Sequence, residues 1–272
     1  MKSMFRYFAP LLVLAGGVAC SDDTAPSETG TLVVRLTDAP SDDLESATIW
    51  VSEVSVNASG GADVIISSTP DVAYDLLDLQ NGITATIGTA TIPTGTYHQV
   101  RLLVDSARVV LKAPHTFSDG TNTAKLNVPS GSQNGIKVNI SPPVAVDEGQ
   151  TVLVVDFDVS QSFVFQGPSD HPNSISFKPV LHATVQDVAA SISGTVTPAT
   201  SNATLYAIAG TDTVGTAFAN ATTGAYTIQF LPPGNYVVGV KATGFQIAVS
   251  AAIVLANAQA LTGVNFVLVA AP

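Results

Sequence analysis

Asp156 and Asp158 stand two residues apart in the run Val155-Asp156-Phe157-Asp158-Val159-Ser160. On an extended strand, side chains at i and i+2 leave by the same face, so both carboxylates and the Ser160 hydroxyl are expected on one side. Val155, Phe157 and Val159 then fall on the other. Oxygen donors of this kind suit a hard cation, and Asp38, with the carbonyls beside Ala39-Pro40, would complete a shell for calcium. A structural role fits the same residues: Asp38 capping its own turn, and Asp156 and Asp158 pairing with Arg35, Arg101 or Lys178.

Other chemistries find less in the sequence. His98, His115, His171 and His182 are scattered without zinc-ligand spacing, and the single cysteine, Cys20, supplies neither a thiolate cluster nor a disulfide. No Gly-x-Ser-x-Gly elbow and no Gly-rich phosphate loop occurs. A pair of acids could serve a glycosidase, but such sites also stack sugars on aromatics, and Trp50 is the only tryptophan. These features predict a protein that is not an enzyme. For a sugar-binding surface the candidate aromatics are Trp50, Tyr206, Tyr226, Tyr236 and Phe245, several of them expected in the core.

The elements that must position these residues read as strands. Charged residues make up 11% of the chain, and Val, Ile, Thr, Ala and Gly are abundant, which favours strands over helices. In residues 31 to 188, strand-like runs cover Thr31 to Leu36, Ala47 to Val56, Val72 to Leu79, Tyr97 to Val104, Arg108 to Lys112, Lys125 to Val128, Gly135 to Ile140, Thr151 to Val159 and Ser174 to Val185. Turn signals separate them, among them Asn81-Gly82, Pro93-Thr94-Gly95, Ser118-Asp119-Gly120, Asn134-Gly135 and Pro142-Pro143. Residues 189 to 272 give further strands at Ser191 to Val196, Thr204 to Ala209, Tyr226 to Phe230, Tyr236 to Ala242, Ala248 to Leu255 and Val264 to Val269. The prediction is all-β, two β-sandwich domains (Ig-like or prealbumin-like) in tandem, over 31–188 and 189–272.

The two parts differ in charge. Of 21 acidic residues only Asp212 lies beyond residue 190, and Lys241 is the only cation there. Lys2 and Arg6, an apolar run from Phe8 to Val18, and Ala19-Cys20 make a signal for export over residues 1–19, too short for a spanning helix. Without it the chain carries 21 acidic against 8 basic residues, a net charge of −13 that disfavours nucleic acid as a partner. Residues 20–30 are small, polar and acidic, as in a flexible tether.

Three resemblances add to this reading. Leu14-Ala15-Gly16-Gly17-Val18-Ala19-Cys20 resembles the lipobox of bacterial lipoproteins, with Gly17 where that box carries Leu; it implies lipidation of Cys20. Gly30-Thr31-Leu32-Val33-Val34-Arg35-Leu36-Thr37-Asp38-Ala39-Pro40, Tyr74-Asp75-Leu76-Leu77-Asp78-Leu79, Ile92-Pro93-Thr94-Gly95-Thr96-Tyr97, Val155-Asp156-Phe157-Asp158-Val159-Ser160 and Phe177-Lys178-Pro179-Val180-Leu181 resemble, in order, the DUF4382 family. That resemblance implies a secreted or lipid-anchored β-rich domain without an assigned activity. Thr223-Gly224-Ala225-Tyr226, Leu231-Pro232-Pro233-Gly234-Asn235-Tyr236 and Ala242-Thr243-Gly244-Phe245 look like the carboxypeptidase regulatory-like domain, which implies a prealbumin-like or carbohydrate-binding-like sandwich used as a spacer or contact module. Pro93-Thr94-Gly95-Thr96-Tyr97 and Pro232-Pro233-Gly234-Asn235-Tyr236 echo each other; either Pro-x-Gly-x-Tyr is simply a good entry to a strand, or the two parts share a topology. Related surface domains join Lys to Asn covalently, a role for Lys241 and Asn265, but the assisting buried acid is missing from residues 191–272.

The expected protein is a lipid-anchored module of the bacterial cell envelope, held to the membrane through Cys20 and, with Ser21 following, directed to the outer membrane. It would bind or support another envelope protein. A carbohydrate-binding surface protein, with or without calcium, is the alternative, and an accessory to a hydrolase a third. Asn57, Asn139, Asn202 and Asn220 begin Asn-x-Ser/Thr triplets, which a Ser- and Thr-rich bacterial chain contains by chance.

Overall fold

A computed structural model of the chain describes residues 28–39, 41, 43–58, 61–128, 134–168 and 171–272. The export signal, Cys20 and the tether up to residue 27 lie outside the described residues. The first unit contains β1 (Thr29–Ala39), β2 (Leu44–Asn57), β3 (Asp63–Asp75), β4 (Ala85–Pro93), β5 (Gly95–Leu111), β6 (Thr123–Asn127), β7 (Ile136–Val146), β8 (Gln150–Asp158), β9 (Phe163–Gln166), β10 (Ser174–Phe177) and β11 (Leu181–Val185). A single helical turn, α1 (Val159–Ser162), follows β8.

Nine of these strands form one sheet in the order β3-β2-β5-β7-β11-β8-β1-β4, with β6 beside β5, while β9 and β10 pair separately. The sheet folds over on itself. Its outermost strands meet so closely that a Cβ at Gly88 on β4 would lie 2.9 Å from Ile66 Cγ2 on β3. Alternate residues fill the enclosed core, among them Leu32, Leu36, Ile49, Leu102, Leu153 and Phe157, all fully buried. Each such side chain contributes about 1.5–3 kcal/mol by leaving water. Strand β1 lies between two neighbours, parallel to β8 from Thr31 to Ala39 and antiparallel to β4 from Thr29 to Leu36.

The second unit contains β12 (Ala190–Thr197), β13 (Thr204–Ala209), β14 (Asp212–Phe218), β15 (Ala225–Leu231), β16 (Gly234–Lys241), β17 (Ala248–Val249), β18 (Ile253–Leu255), β19 (Ala260–Leu261) and β20 (Phe266–Val267). One sheet runs β15-β12-β19 with β20 beside β12, the other β14-β13-β16-β17 with β18 beside β16. Ile192, Leu205, Ile228, Leu231 and Val238 pack between them as a second, separate core.

The fold is all-β, as composition and alternation predict, and several boundaries differ for physical reasons. Tyr97–Val104 and Arg108–Lys112 join in one strand, because Asp105 is accommodated as a bulge instead of a turn. Pro142-Pro143 sits inside β7, at a break in its pairing with β5 where Tyr97 faces Val144 and Gln99 faces Asn139. Ser174–Val185 splits around Pro179, which has no N–H to give a ladder. Strands β4 and β14 arise from Thr-, Ala- and Gly-rich runs, and Asp212 opens β14 where the sequence suggests a turn. Asn81-Gly82 turns as predicted, with φ of 57° and 84°.

The two units touch along β14, which lies against β1 and β8. Gln161 Nε2 donates to the Thr213 carbonyl at 3.5 Å and Gln229 Nε2 to the Asn81 carbonyl at 3.4 Å. Within the first unit, Arg35 Nη1 donates to Gln186 Oε1 at 3.0 Å, steadying the turn that leads to the second. No helix among the described residues is long and apolar enough to cross a membrane.

Candidate functional site between the two units

Strand β8 ends where α1 begins, and its carboxylates serve that transition. Asp158, 1% exposed, caps α1: its Oδ1 accepts from Gln161 N at 3.0 Å and from Ser160 Oγ at 2.6 Å. Asp38 reaches the same turn from β1, its Oδ1 accepting from Val159 N at 3.2 Å. Asp38 stands opposite Phe157 in the parallel ladder, on the core-facing side with Leu36. Asp156 and Asp158 alternate with the core residues Val155, Phe157 and Val159, so they leave by the other face.

The calcium reading of Asp38, Asp156 and Asp158 gains nothing from this arrangement. The three acids sit on neighbouring strands but not on one face, and two of them hold backbone N–H groups of α1. Ser160 belongs to α1 and donates to Asp158 instead of facing a cation. Among the described residues no group of three or more His, Cys, Asp or Glu side chains is disposed to hold a metal. The basic partners go elsewhere too: Arg101 pairs with Asp63 at 2.6 Å, and Arg35 with Gln186.

Asp156 lies opposite Thr37 on β1 and His182 on β11, on the side of the sheet toward β14. Burial, and then the charge of Asp158, push its pKa up to about 7. Around it, His182 Nε2 and Thr184 Oγ1 on β11 are buried without a hydrogen-bond partner among the described residues, as is Thr216 Oγ1 on β14. The junction is polar, in the manner of contacts between units that associate by surface and not by a shared core.

Beside this junction opens a cleft of about 490 Å³ to which both units contribute. Phe163 and Phe165 of β9 and Tyr206 and Phe218 of the second unit give it aromatic walls, while Asp43 and Lys241 supply charge. Its polar lining is made of hydroxyls and an amide, from Ser41, Ser160, Thr204, Thr243 and Asn202, and neither histidine nor cysteine is among the lining residues. Such a lining can bind by stacking and hydrogen bonding. Asparagine 265 does not meet Lys241: its Oδ1 accepts from Thr195 N at 2.9 Å, whereas Lys241 is exposed at the cleft.

Of the aromatics expected to meet sugars, Tyr226 and Tyr236 belong to the core of the second unit, with hydroxyls donating to the carbonyls of Val264 and Pro232. Phe245 packs against that core, Tyr206 lines the cleft, and Trp50 lies on the outer face of β2. Sequence spacing could not reveal the cleft, whose walls come from separate segments scattered between Ser41 and Thr243. The one available signal was Lys241, the only cation in a part otherwise nearly free of charge.

Fold and cleft together define an all-β protein of two cores with a contact surface where they meet. Residues 29–179 match the family described as "Domain of unknown function (DUF4382)", and the chain belongs to that family. Among solved structures, the chain is similar to the Bacillus anthracis TIE protein at 12% identity and a TM-score of 0.26, with 89% of this chain and 34% of that one covered. The chain thus spans about a third of that protein's length. A C-terminal fragment of the pilus adhesin SpaC from Lactobacillus rhamnosus GG matches at 10% identity and a TM-score of 0.21, covering 89% of this chain and 98% of that one. The major pilin T-13 of Streptococcus pyogenes matches at 13% identity and a TM-score of 0.17, with the same coverage. No curated protein matches the chain in sequence.

Proposed function

We propose that the chain is a non-enzymatic, lipid-anchored protein of the bacterial cell envelope that holds a partner in the cleft between its units. The observation that carries the binding role is the cleft itself, walled by aromatics from both units and equipped with one anion and one cation. The lipobox-like segment ending at Cys20 supports the anchor, and the acidic tether after it supports a body held away from the lipid surface. One acyl chain binds a membrane only marginally, so lasting attachment takes the several chains a bacterial lipoprotein carries. Residues 31–188 and 189–272 are taken as two domains, the second a carboxypeptidase regulatory-like contact module. Its exposed Ile247, Val249, Val254, Val267 and Val269 favour such a role, since apolar side chains left in water are a ready contact surface.

A photo-reactive residue placed at Thr243, on the cleft wall, tests this reading in intact cells. The expected result is a discrete adduct with one envelope component, lost when Tyr206→Ala and Phe218→Ala remove the aromatic walls. A smear of nonspecific adducts unaffected by those changes would sink it. The anchor has its own test: the mass of the mature N-terminal peptide should show a diacyl- or triacyl-modified Cys20, and an unmodified thiol there refutes it.

A second reading, a glycan as the occupant, is favoured by the presence of both Tyr206 and Asn202, an aromatic and an amide, in the lining of the cleft. Retention of the full chain on a glycan array, abolished by Tyr206→Ala, is the outcome it requires.

A further inference from the structure

The bulge at Asp105 has a second effect, on the outer face of the first unit. Trp50 faces Ser106 while Val51 faces Val104, so Asp105 is the extra residue and the alternation of β5 changes phase there. Ala107, Val109 and Leu111 then point to the core, and Ser106 and Arg108 point outward beside Trp50. The Arg108 guanidinium sits 5.5 Å from the centre of the Trp50 ring. Lys125 on β6 stands directly opposite Arg108. These four residues line a depression of about 470 Å³.

Like charges directly opposed on antiparallel strands repel. Neither Arg108 nor Lys125 forms an ion pair among the described residues. The nearby carboxylates are engaged: Asp105 accepts from Ser52 Oγ at 3.1 Å, and Asp75 on β3 accepts from the backbone N–H groups of Ala47 and Leu77. In a chain with 21 acidic and 10 basic residues, two cations held opposite one another with no ion pair among the described residues are a local exception. The guanidinium carbon lies over the indole ring, and a guanidinium's forked N–H donors can grip a planar oxyanion by two bonds.

We propose that Trp50, Ser106, Arg108 and Lys125 form a binding site for an oxyanion, a carboxylate or sulfate group borne on an acidic saccharide. Arg108 supplies the paired donors, Lys125 the second positive charge and Ser106 a hydroxyl donor. A saccharide fits this face better than a lipid headgroup. Thr123, two places from Lys125, offers a hydroxyl on the same side, whereas the large exposed apolar side chains that would follow a headgroup into a membrane lie elsewhere, at Ile65, Ile83, Val164 and in the second unit. The site shares no lining residue with the cleft, so the two stand or fall separately.

Trp50 is the only tryptophan, so its fluorescence in the full chain reports this site alone. Titration with oligogalacturonate and with a sulfated heparin oligosaccharide should change that fluorescence saturably for at least one of them. The methyl-esterified galacturonate oligomer should have no effect. Arg108→Gln and Lys125→Gln should each weaken binding by about tenfold or more, the loss expected of one charge-assisted hydrogen bond, with the melting temperature unchanged or raised. No change with either acidic oligosaccharide overturns the proposal, and so does equal binding of the methyl ester. Inorganic phosphate binding as tightly as the oligomers, or phosphatidylglycerol vesicles binding in their place, would overturn the saccharide assignment.

Discussion

Tyr97 and Tyr236 occupy the same device in the two units. Each follows Pro-x-Gly-x, each is buried, and each hydroxyl donates to the carbonyl of the proline four residues back, at 2.8 Å and 2.6 Å. The glycines between differ. Gly95 has φ of 150° and open space around its missing side chain, whereas Gly234 is not at positive φ and a Cβ there would rest 3.6 Å from the Tyr236 ring, an ordinary contact. The tyrosine hydroxyl is therefore the shared requirement, and the glycine serves backbone conformation only in the first corner. The surroundings differ as well: the first unit tethers its turns with buried carboxylates, while the second has only Asp212 and Lys241 as acidic and basic side chains.

The largest expected effect separates the units by pH. Asp156 has its pKa raised from 3.8 to about 7, so the folded state holds a proton that the unfolded chain has released. Stability from this group is fully present below pH 3.8 and is lost as pH rises towards about 7, at a slope of up to about 1.4 kcal/mol per pH unit. Asp156→Asn should flatten that decline and raise the melting temperature at pH 8. A melting curve with the same pH dependence in the variant would show that Asp156 does not carry it.

Next come the corners. Tyr97→Phe and Tyr236→Phe each remove one buried hydrogen bond and leave a carbonyl without it, a loss of about 1–2 kcal/mol in urea unfolding. If the corners are one device the two losses should agree; a clear inequality breaks the comparison. Smaller again, Gly95→Ala should cost about 1 kcal/mol, because an L side chain rarely adopts its φ, while Gly234→Ala should be close to neutral. Equal costs at the two glycines would mean that φ is not what distinguishes them. The smallest effect is none at all: with the acids near α1 acting as caps, a chelator should leave the melting temperature where it was. A drop on chelation would restore the cation reading, since a ligand of the folded state alone adds stability.

Much of the fold was legible because β-branched and aromatic runs with punctuating Gly, Asn and Pro are local signals. Thr204–Ala209 is recovered without shift, and Asn81-Gly82 turns where its residues demand. Strands β4 and β14 were not, since Thr, Ala and Gly become strand only when neighbours offer a ladder. The face shared by Asp156 and Asp158 followed from the two-residue period. That Asp38 falls on the opposite face did not, because it depends on the register of β1 against β8, a long-range property. The cleft was beyond reach for the same reason twice over: it needs two folds and their docking. Tyr226 and Tyr236 looked like sugar platforms and proved to be core, their hydroxyls satisfied by carbonyls.

Strand β1 is flanked on both sides, by β8 along nine residues and by β4 along eight. A force applied to the start of the chain therefore acts along the strand axis and meets both ladders at once, in shear, with every hydrogen bond sharing the load. A strand at the edge of the sheet would peel away one bond at a time. The first unit is thus built to carry tension at its N-terminal end.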